Sequence, residues 1–352
     1  MSRGTLSRIN RRLPLAPIVL ATLLAGCQTL PGSFTTVGAD EDPMADAPPV
    51  TRGLDADSLT GLLVAELAGQ RGDYRRATSR FLDVAERYGS APLAERATLA
   101  ARFSEDTSLL EDAARRWQTL APESDAPARL LASLAVRRGE WDAALAQRLA
   151  AIARGAQEEL TGFVESALEA GADPAPLLAR MREHLANLDE TRHDSELATA
   201  LLEAAAGERA AAERRLSRLA RGAPELPELW QIRARLALEA DDPASARSAA
   251  RRGLALTPGD PRLMLLLARA EIRLGGIEAA EATTDALIDD HGDDPELRLG
   301  LARLFLEEEH LPPARRLLLP LVGDDEAPPL AFLLLGAIAE EEGEVDNALL
   351  YY

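Results

Sequence analysis

Residues 227–260 read PELWQIRARLALEADDPASARSAARRGLALTPGD, and the next residue, Pro261, opens a second segment of the same build. The stride of 34 residues between these prolines is kept by Pro227, Pro261, Pro295 and Pro329. Alanines keep it independently, at Ala212, Ala246, Ala280, Ala314 and Ala348. Proline is favoured as the first residue of a helix, where its missing N–H would have no partner in any case. Asp260 and Asp294 stand directly before two of the prolines and are candidate N-caps. Each proline thus predicts a helix start, and each alanine predicts a close contact early in a second helix. Two markers in one register describe a repeated helix–turn–helix.

The register resembles the tetratricopeptide repeat, a 34-residue helix–turn–helix. In the unit that opens at Pro227, Trp230 matches the large residue of the first helix, Ala246 the small residue of the second and Pro258 the closing proline. In the unit from Pro329, Leu335-Gly336, Gly343, Ala348 and Tyr352 match the Leu-Gly pair, the turn glycine, the small residue and the aromatic. The expected fold is all-α, a right-handed superhelical solenoid of such repeats. About nine units are expected over residues 53–352, with second-helix markers at Ala77, Ala113, Ala144, Leu178, Ala212, Ala246, Ala280, Ala314 and Ala348. The step from Ala77 through Ala113 to Ala144 is uneven, which predicts a local bend or a second unit read in the wrong register. The ninth unit stops at Tyr351-Tyr352 inside its second helix and reads as part of a longer array.

Composition agrees with this. The chain is rich in Ala, Leu, Arg and Glu, and aromatic residues make up only 4% of it, so helix is favoured throughout. The formal net charge is -19, which argues against nucleic acid as a partner, since that needs a basic stripe. All 39 basic residues are arginines, so lysine-dependent chemistry such as a P-loop or a Schiff base is excluded. There is no Gly-x-Ser-x-Gly, His-Glu-x-x-His or dinucleotide glycine fingerprint. His184 and His193 are not at the spacing that puts two ligands on one helical face, and Glu307-Glu308-Glu309-His310 point in different directions around a helix. No enzyme activity, metal or cofactor is expected.

The N-terminus carries a separate message. Arg3, Arg8, Arg11 and Arg12 precede a nearly unbroken apolar run from Leu13 to Leu24, followed by Ala25, Gly26 and the lone Cys27. This is the layout of a secretory signal. A run of about 12 residues is too short to span a bilayer, which takes roughly 20. Leu24-Ala25-Gly26-Cys27 resembles the lipobox of bacterial lipoproteins, which implies cleavage after residue 26 and acylation of Cys27. The Gln28 that follows implies the outer membrane, with the protein facing the periplasm. Residues 27–52 then read as a flexible tether, rich in Gly, Pro, Thr and Asp, with a reach of about 25–30 Å.

In this repeat the first helices line a concave groove, and equivalent positions recur along it. One row is Arg235, Arg269 and Arg303; a second is Gln231, Leu265, Leu299 and Leu333; a third is Leu238, Ile272 and Leu306. The arginines suit carboxylates or carbonyls of a bound polypeptide, and the apolar rows suit its side chains. The competing reading is intrahelical pairing of Arg235 with Glu239 and of Arg303 with Glu307. Arg269 has Arg273 at that spacing, so that reading fails for one of the three.

A closer resemblance lies near the start of the folded region. Leu62-Leu63-Val64-Ala65-Glu66-Leu67-Ala68-Gly69-Gln70-Arg71-Gly72-Asp73-Tyr74, with Ala94-Glu95-Arg96-Ala97-Thr98, is similar to outer-membrane tetratricopeptide lipoproteins that partner a periplasmic carboxyl-terminal processing protease. The resemblance implies an adaptor that binds the protease and presents cell-wall hydrolases to it. It covers residues 23–30 and 54–103 specifically and the later repeats only generically. The other expectation for a repeat lipoprotein is a scaffold for envelope assembly or polysaccharide export.

Overall fold

The computed structural model describes residues 53–188, 192–291, 294–323 and 327–352. The signal segment 1–26, Cys27 with its lipidation, and the tether to residue 52 lie outside the described residues. Asp55–Tyr352 forms one compact unit. Among the described residues eighteen α-helices follow one another as nine pairs, without strands. They are α1 (Ala56–Gln70) with α2 (Tyr74–Tyr88), α3 (Ala91–Arg102) with α4 (Thr107–Leu120), and α5 (Ala126–Arg137) with α6 (Trp141–Ile152). Next come α7 (Leu160–Glu169) with α8 (Pro174–Ala186), α9 (His193–Ala205) with α10 (Arg209–Gly222), and α11 (Pro227–Glu239) with α12 (Pro243–Leu256). The last are α13 (Pro261–Arg273) with α14 (Ile277–His291), α15 (Pro295–Glu307) with α16 (Leu311–Leu318), and α17 (Pro329–Glu341) with α18 (Val345–Tyr351). Helices of this length are marginal alone, so stacking on neighbours holds them.

Every marker residue falls in the second helix of a pair and is buried. The uneven step at Ala113 is a matter of register. Ala77, Ala144, Ala212 and Ala246 are each the fourth residue of their helix, and the fourth residue of α4 is Leu110. Leu110 lies 33 residues after Ala77 and 34 before Ala144, so the stride holds. Ala113 is one turn further along the same buried face.

The turns within pairs repeat as faithfully as the helices. Residues 207, 241, 275, 309 and 343, again 34 apart, all have positive φ. The residue after each donates its N–H back across the helix end: Glu208 to Glu203, Asp242 to Ala237, Gly276 to Glu271, His310 to Phe305 and Glu344 to Ala339, at 2.7–2.9 Å. This is the Schellman closure, which needs a left-handed residue and so favours glycine. Glu309 holds that place at φ 62° without being glycine. Glu309→Gly is expected to stabilise the chain by about 1 kcal/mol, read as a higher urea midpoint at unchanged m value.

The fourth pair departs most from the pattern. Its first helix, α7, has only ten residues, and Glu159 at its N-cap makes no side-chain cap. Asp194, in the first turn of α9, supplies the cap instead. Its carboxylate accepts from Leu160 N at 2.7 Å, Thr161 N at 3.0 Å and Thr161 Oγ1 at 2.6 Å. One unit thus caps another, and Asp194→Ala should cost about 1–2 kcal/mol in a denaturant titration.

Among the described residues two glutamates are buried at the joints between pairs. Glu203 is 2% exposed and Glu271 4%. Glu203 in α9 accepts from Arg215 in α10 through Nε at 3.0 Å and Nη2 at 2.9 Å, and from Arg182 Nη2 in α8 at 3.2 Å. Glu271 in α13 accepts from Arg251 in α12 at 3.0 Å and from Thr283 Oγ1 in α14 at 2.9 Å. Each carboxylate therefore joins three successive helices.

Candidate partner-binding surface

Helices α11 and α13 lie side by side, as do α13 and α15, and the 34-residue register aligns equivalent side chains across them. The structure corrects part of the expected groove. Leu238 (6% exposed) packs against Ala246 and Ala270, and Ile272 (2%) lies in the C-terminal core. Leu306 is half-buried against that core, and Leu299 is 2% exposed. These residues fill the space between helices and are not free to hold a partner. Leu265 and Leu333 remain at the surface, Leu333 being 54% exposed.

The arginine row is mostly engaged across units. Arg235 Nη1 lies 2.9 Å from Glu165 in α7. Arg269 bonds Glu307 in α15 and approaches Glu308 at 3.7 Å. Arg273 donates to Glu308 at 2.9 Å and to the carbonyl of Leu238 at 3.0 Å. Neither intrahelical pair, Arg235–Glu239 nor Arg303–Glu307, forms. Glu307 crosses to the neighbouring helix, where it meets a cation instead of the single turn of its own. Arg303 is exposed and makes no ion pair among the described residues.

Between α13 and α15 the surface dips into a notch of about 210 Å³, lined by Leu265, Leu266, Arg269, Gly300, Leu304 and Glu307. It has an apolar floor and one ion pair at its rim. Gly300 opens it, since a Cβ there would have no neighbour within 4 Å. Leu265 and Arg269 were legible as groove residues. Gly300 and Leu304 were not, because the notch depends on how far the two helices stand apart.

The most enzyme-like contact is Ser195 Oγ with His184 Nε2, 3.4 Å apart. Ser195 is 1% exposed, so no substrate reaches its hydroxyl. Burial, and then the nearby charge of Arg192, hold the His184 ring below its usual pKa. The pair is a contact between α8 and α9. Glu307-Glu308-Glu309-His310 is absorbed by structure: two members pair with arginines, Glu309 makes the turn and His310 precedes α16. Among the described residues no three His, Cys, Asp or Glu side chains are grouped to hold a metal ion, and no helix is long and apolar enough to cross a membrane.

The tetratricopeptide-repeat family model matches residues 237–298, from the end of α11 into α15. The fold is a tetratricopeptide-repeat solenoid. The matched residues include the whole α13–α14 repeat and one wall of the notch. No match to a curated protein was found. Among solved structures, the chain is similar to a tetratricopeptide repeat protein from Parabacteroides merdae, at 17% identity and a TM-score of 0.45, over 74% of this chain and 90% of that one. It is also similar to PilF of Pseudomonas aeruginosa, at 16% identity and a TM-score of 0.41, over 55% of this chain and 86% of that one. A third is PilW, described as a widely conserved type IV pilus biogenesis factor, at 18% identity and a TM-score of 0.37, over 70% of this chain and all of that one. A repeat solenoid of this kind is a scaffold for protein–protein interaction.

Proposed function

We propose that this chain is a lipid-anchored periplasmic adaptor, held to the outer membrane through Cys27, that binds a carboxyl-terminal processing protease and presents cell-wall hydrolases to it. The lipobox and the similarity of residues 62–74 and 94–98 support the location and the class of partner. The observation that carries polypeptide binding is the notch between α13 and α15, where exposed Leu265 and the open space over Gly300 adjoin the Arg269–Glu307 ion pair. An apolar side chain of a bound segment fills the floor, and its backbone amides meet the rim. Arg303 and Leu333 extend the same surface along the solenoid. The adaptor performs no chemistry. Holding enzyme and substrate on one scaffold makes their encounter intramolecular.

Reconstituted proteolysis tests this directly. The full chain should accelerate degradation of a cell-wall hydrolase by the processing protease, and Gly300→Leu should remove the acceleration. Leucine at 300 fills the notch, displaces nothing buried and favours helix, so loss of folding does not confound the result. Degradation at the same rate with and without the chain would sink the adaptor reading. Equal acceleration by Gly300→Leu would move the binding surface elsewhere.

A further inference from the structure

A second cleft, of about 550 Å³, lies between α10 and α12 and over α11. One small residue, Ala237, lies at its floor. In register with Ala237 at 34-residue steps stand Glu203, Glu271, Phe305 and Ala339. Glu203, Glu271, Phe305 and Ala339 are buried at the joint to the neighbouring helices, whereas Ala237 is only half-buried and lines the cleft. Trp230 also lines the cleft, with its Nε1 bonded to the Pro224 carbonyl at 2.7 Å. The guanidinium of Arg252 lies 5.0 Å from the Trp230 ring centre, and that of Arg233 lies 5.6 Å away.

The surroundings are basic in a chain of net charge -19. Helix α10 carries five arginines against one glutamate, and α12 carries three against no acidic residue. Arg209, Arg214, Arg218, Arg221, Arg247 and Arg252 make no ion pair among the described residues, whereas Arg215 and Arg251 are tied to the buried glutamates. Unlike most of the inner row, these cations have no carboxylate partner among the described residues.

We propose that this cleft is a second interaction site, which takes an acidic segment of a partner protein with an apolar side chain seated over Ala237 and Trp230. The lining favours polypeptide. A phosphate backbone or a lipid headgroup offers no apolar side chain for the floor of alanines and Trp230, whereas Glu213 is already held by Arg233 and Asp242 by the first turn of α12. Arg247 and Arg252, beside the opening, receive the segment's carboxylates, and alanines with Trp230 give an apolar floor. Binding weakens as salt rises, because the charges are exposed. The site is separate from the notch on α13 and α15, so the two can be occupied together.

The test pans short phage-displayed peptides on the full chain and measures the most enriched peptide, fluorescein-labelled, by anisotropy. The expected result is enrichment of Asp and Glu around one apolar residue. Its Kd should rise about tenfold or more with Ala237→Phe, and likewise with Arg247→Glu combined with Arg252→Glu. Gly300→Leu should leave it unchanged, which separates this result from the fate of the adaptor reading. Ala237→Phe copies the residue that Phe305 supplies in its own repeat. The arginine variants alter only the surface and keep the test valid if the phenylalanine perturbs folding. Enrichment of neutral or basic peptides overturns the proposal, and so does an acidic peptide indifferent to both sets of substitutions. An oligonucleotide or a phosphatidylglycerol vesicle that binds with the same arginine dependence, while Ala237→Phe is silent, reveals a plain electrostatic surface and overturns it too.

Discussion

Glu203→Ala is expected to cost about 3–5 kcal/mol of stability, the range for breaking a buried ion pair from one side. Glu203 is the acceptor for both Arg182 and Arg215, so its removal leaves Arg215 half-buried with only Glu196 to face. The joint between α8, α9 and α10 loses its polar tie and gains a void. Urea unfolding checks the magnitude, and hydrogen exchange should show the loss centred on the fourth and fifth repeats. An effect below about 1 kcal/mol, the scale of a surface pair, would show that the joint is held by apolar packing alone.

The same residue gives a pH dependence. Burial pushes its carboxyl upward, but the hydrogen bonds and charge of Arg215, and then of Arg182, outweigh this and hold its pKa below the ordinary glutamate value. A depressed folded-state value stabilises the fold above the unfolded pKa, near 4.5. That stability is lost as pH falls through the folded value. Stability should therefore drop on acidification below about pH 4.5, and Glu203→Gln should flatten that part of the profile.

The second large effect is expected at Phe305, which is fully buried and holds the position where the sixth repeat has Ala237. Phe305→Ala should cost about 3–5 kcal/mol, from lost apolar burial and the cavity left behind. Because each repeat packs chiefly on its neighbours, the damage should stay local. Hydrogen exchange should rise from the seventh repeat onward and stay unchanged in the first four. Global loss of protection would mean that the solenoid unfolds as one cooperative body.

The 34-residue stride reports structure wherever a marker acts within its own unit. Proline at a helix start, aspartate at a cap and a small residue at the crossing of two helices depend on neighbours a turn or one helix away. Their spacing therefore carries the structural information. The stride even repairs itself at Leu110, where Ala113 had suggested an irregular step. The groove was harder. Leu238, Ile272 and Leu299 sit where helix geometry alone aims them inward, and the neighbouring repeat covers them.

The sequence by itself determined the all-α repeat, its period, the nine helix pairs and the candidate rows on their first helices. Only the tertiary structure decided which members of those rows stay exposed and which carboxylate each arginine chooses. It alone showed that Asp194 caps a helix of another unit, that Glu203 braces three helices, and that Ala237 lines a cleft while Phe305 at the same register position is fully buried. The physical reason is range. Capping and helix formation are settled by residues close along the chain, whereas the angle and gap between successive pairs are set by summed side-chain volumes and charges across the joint, and no single position along the chain records that sum.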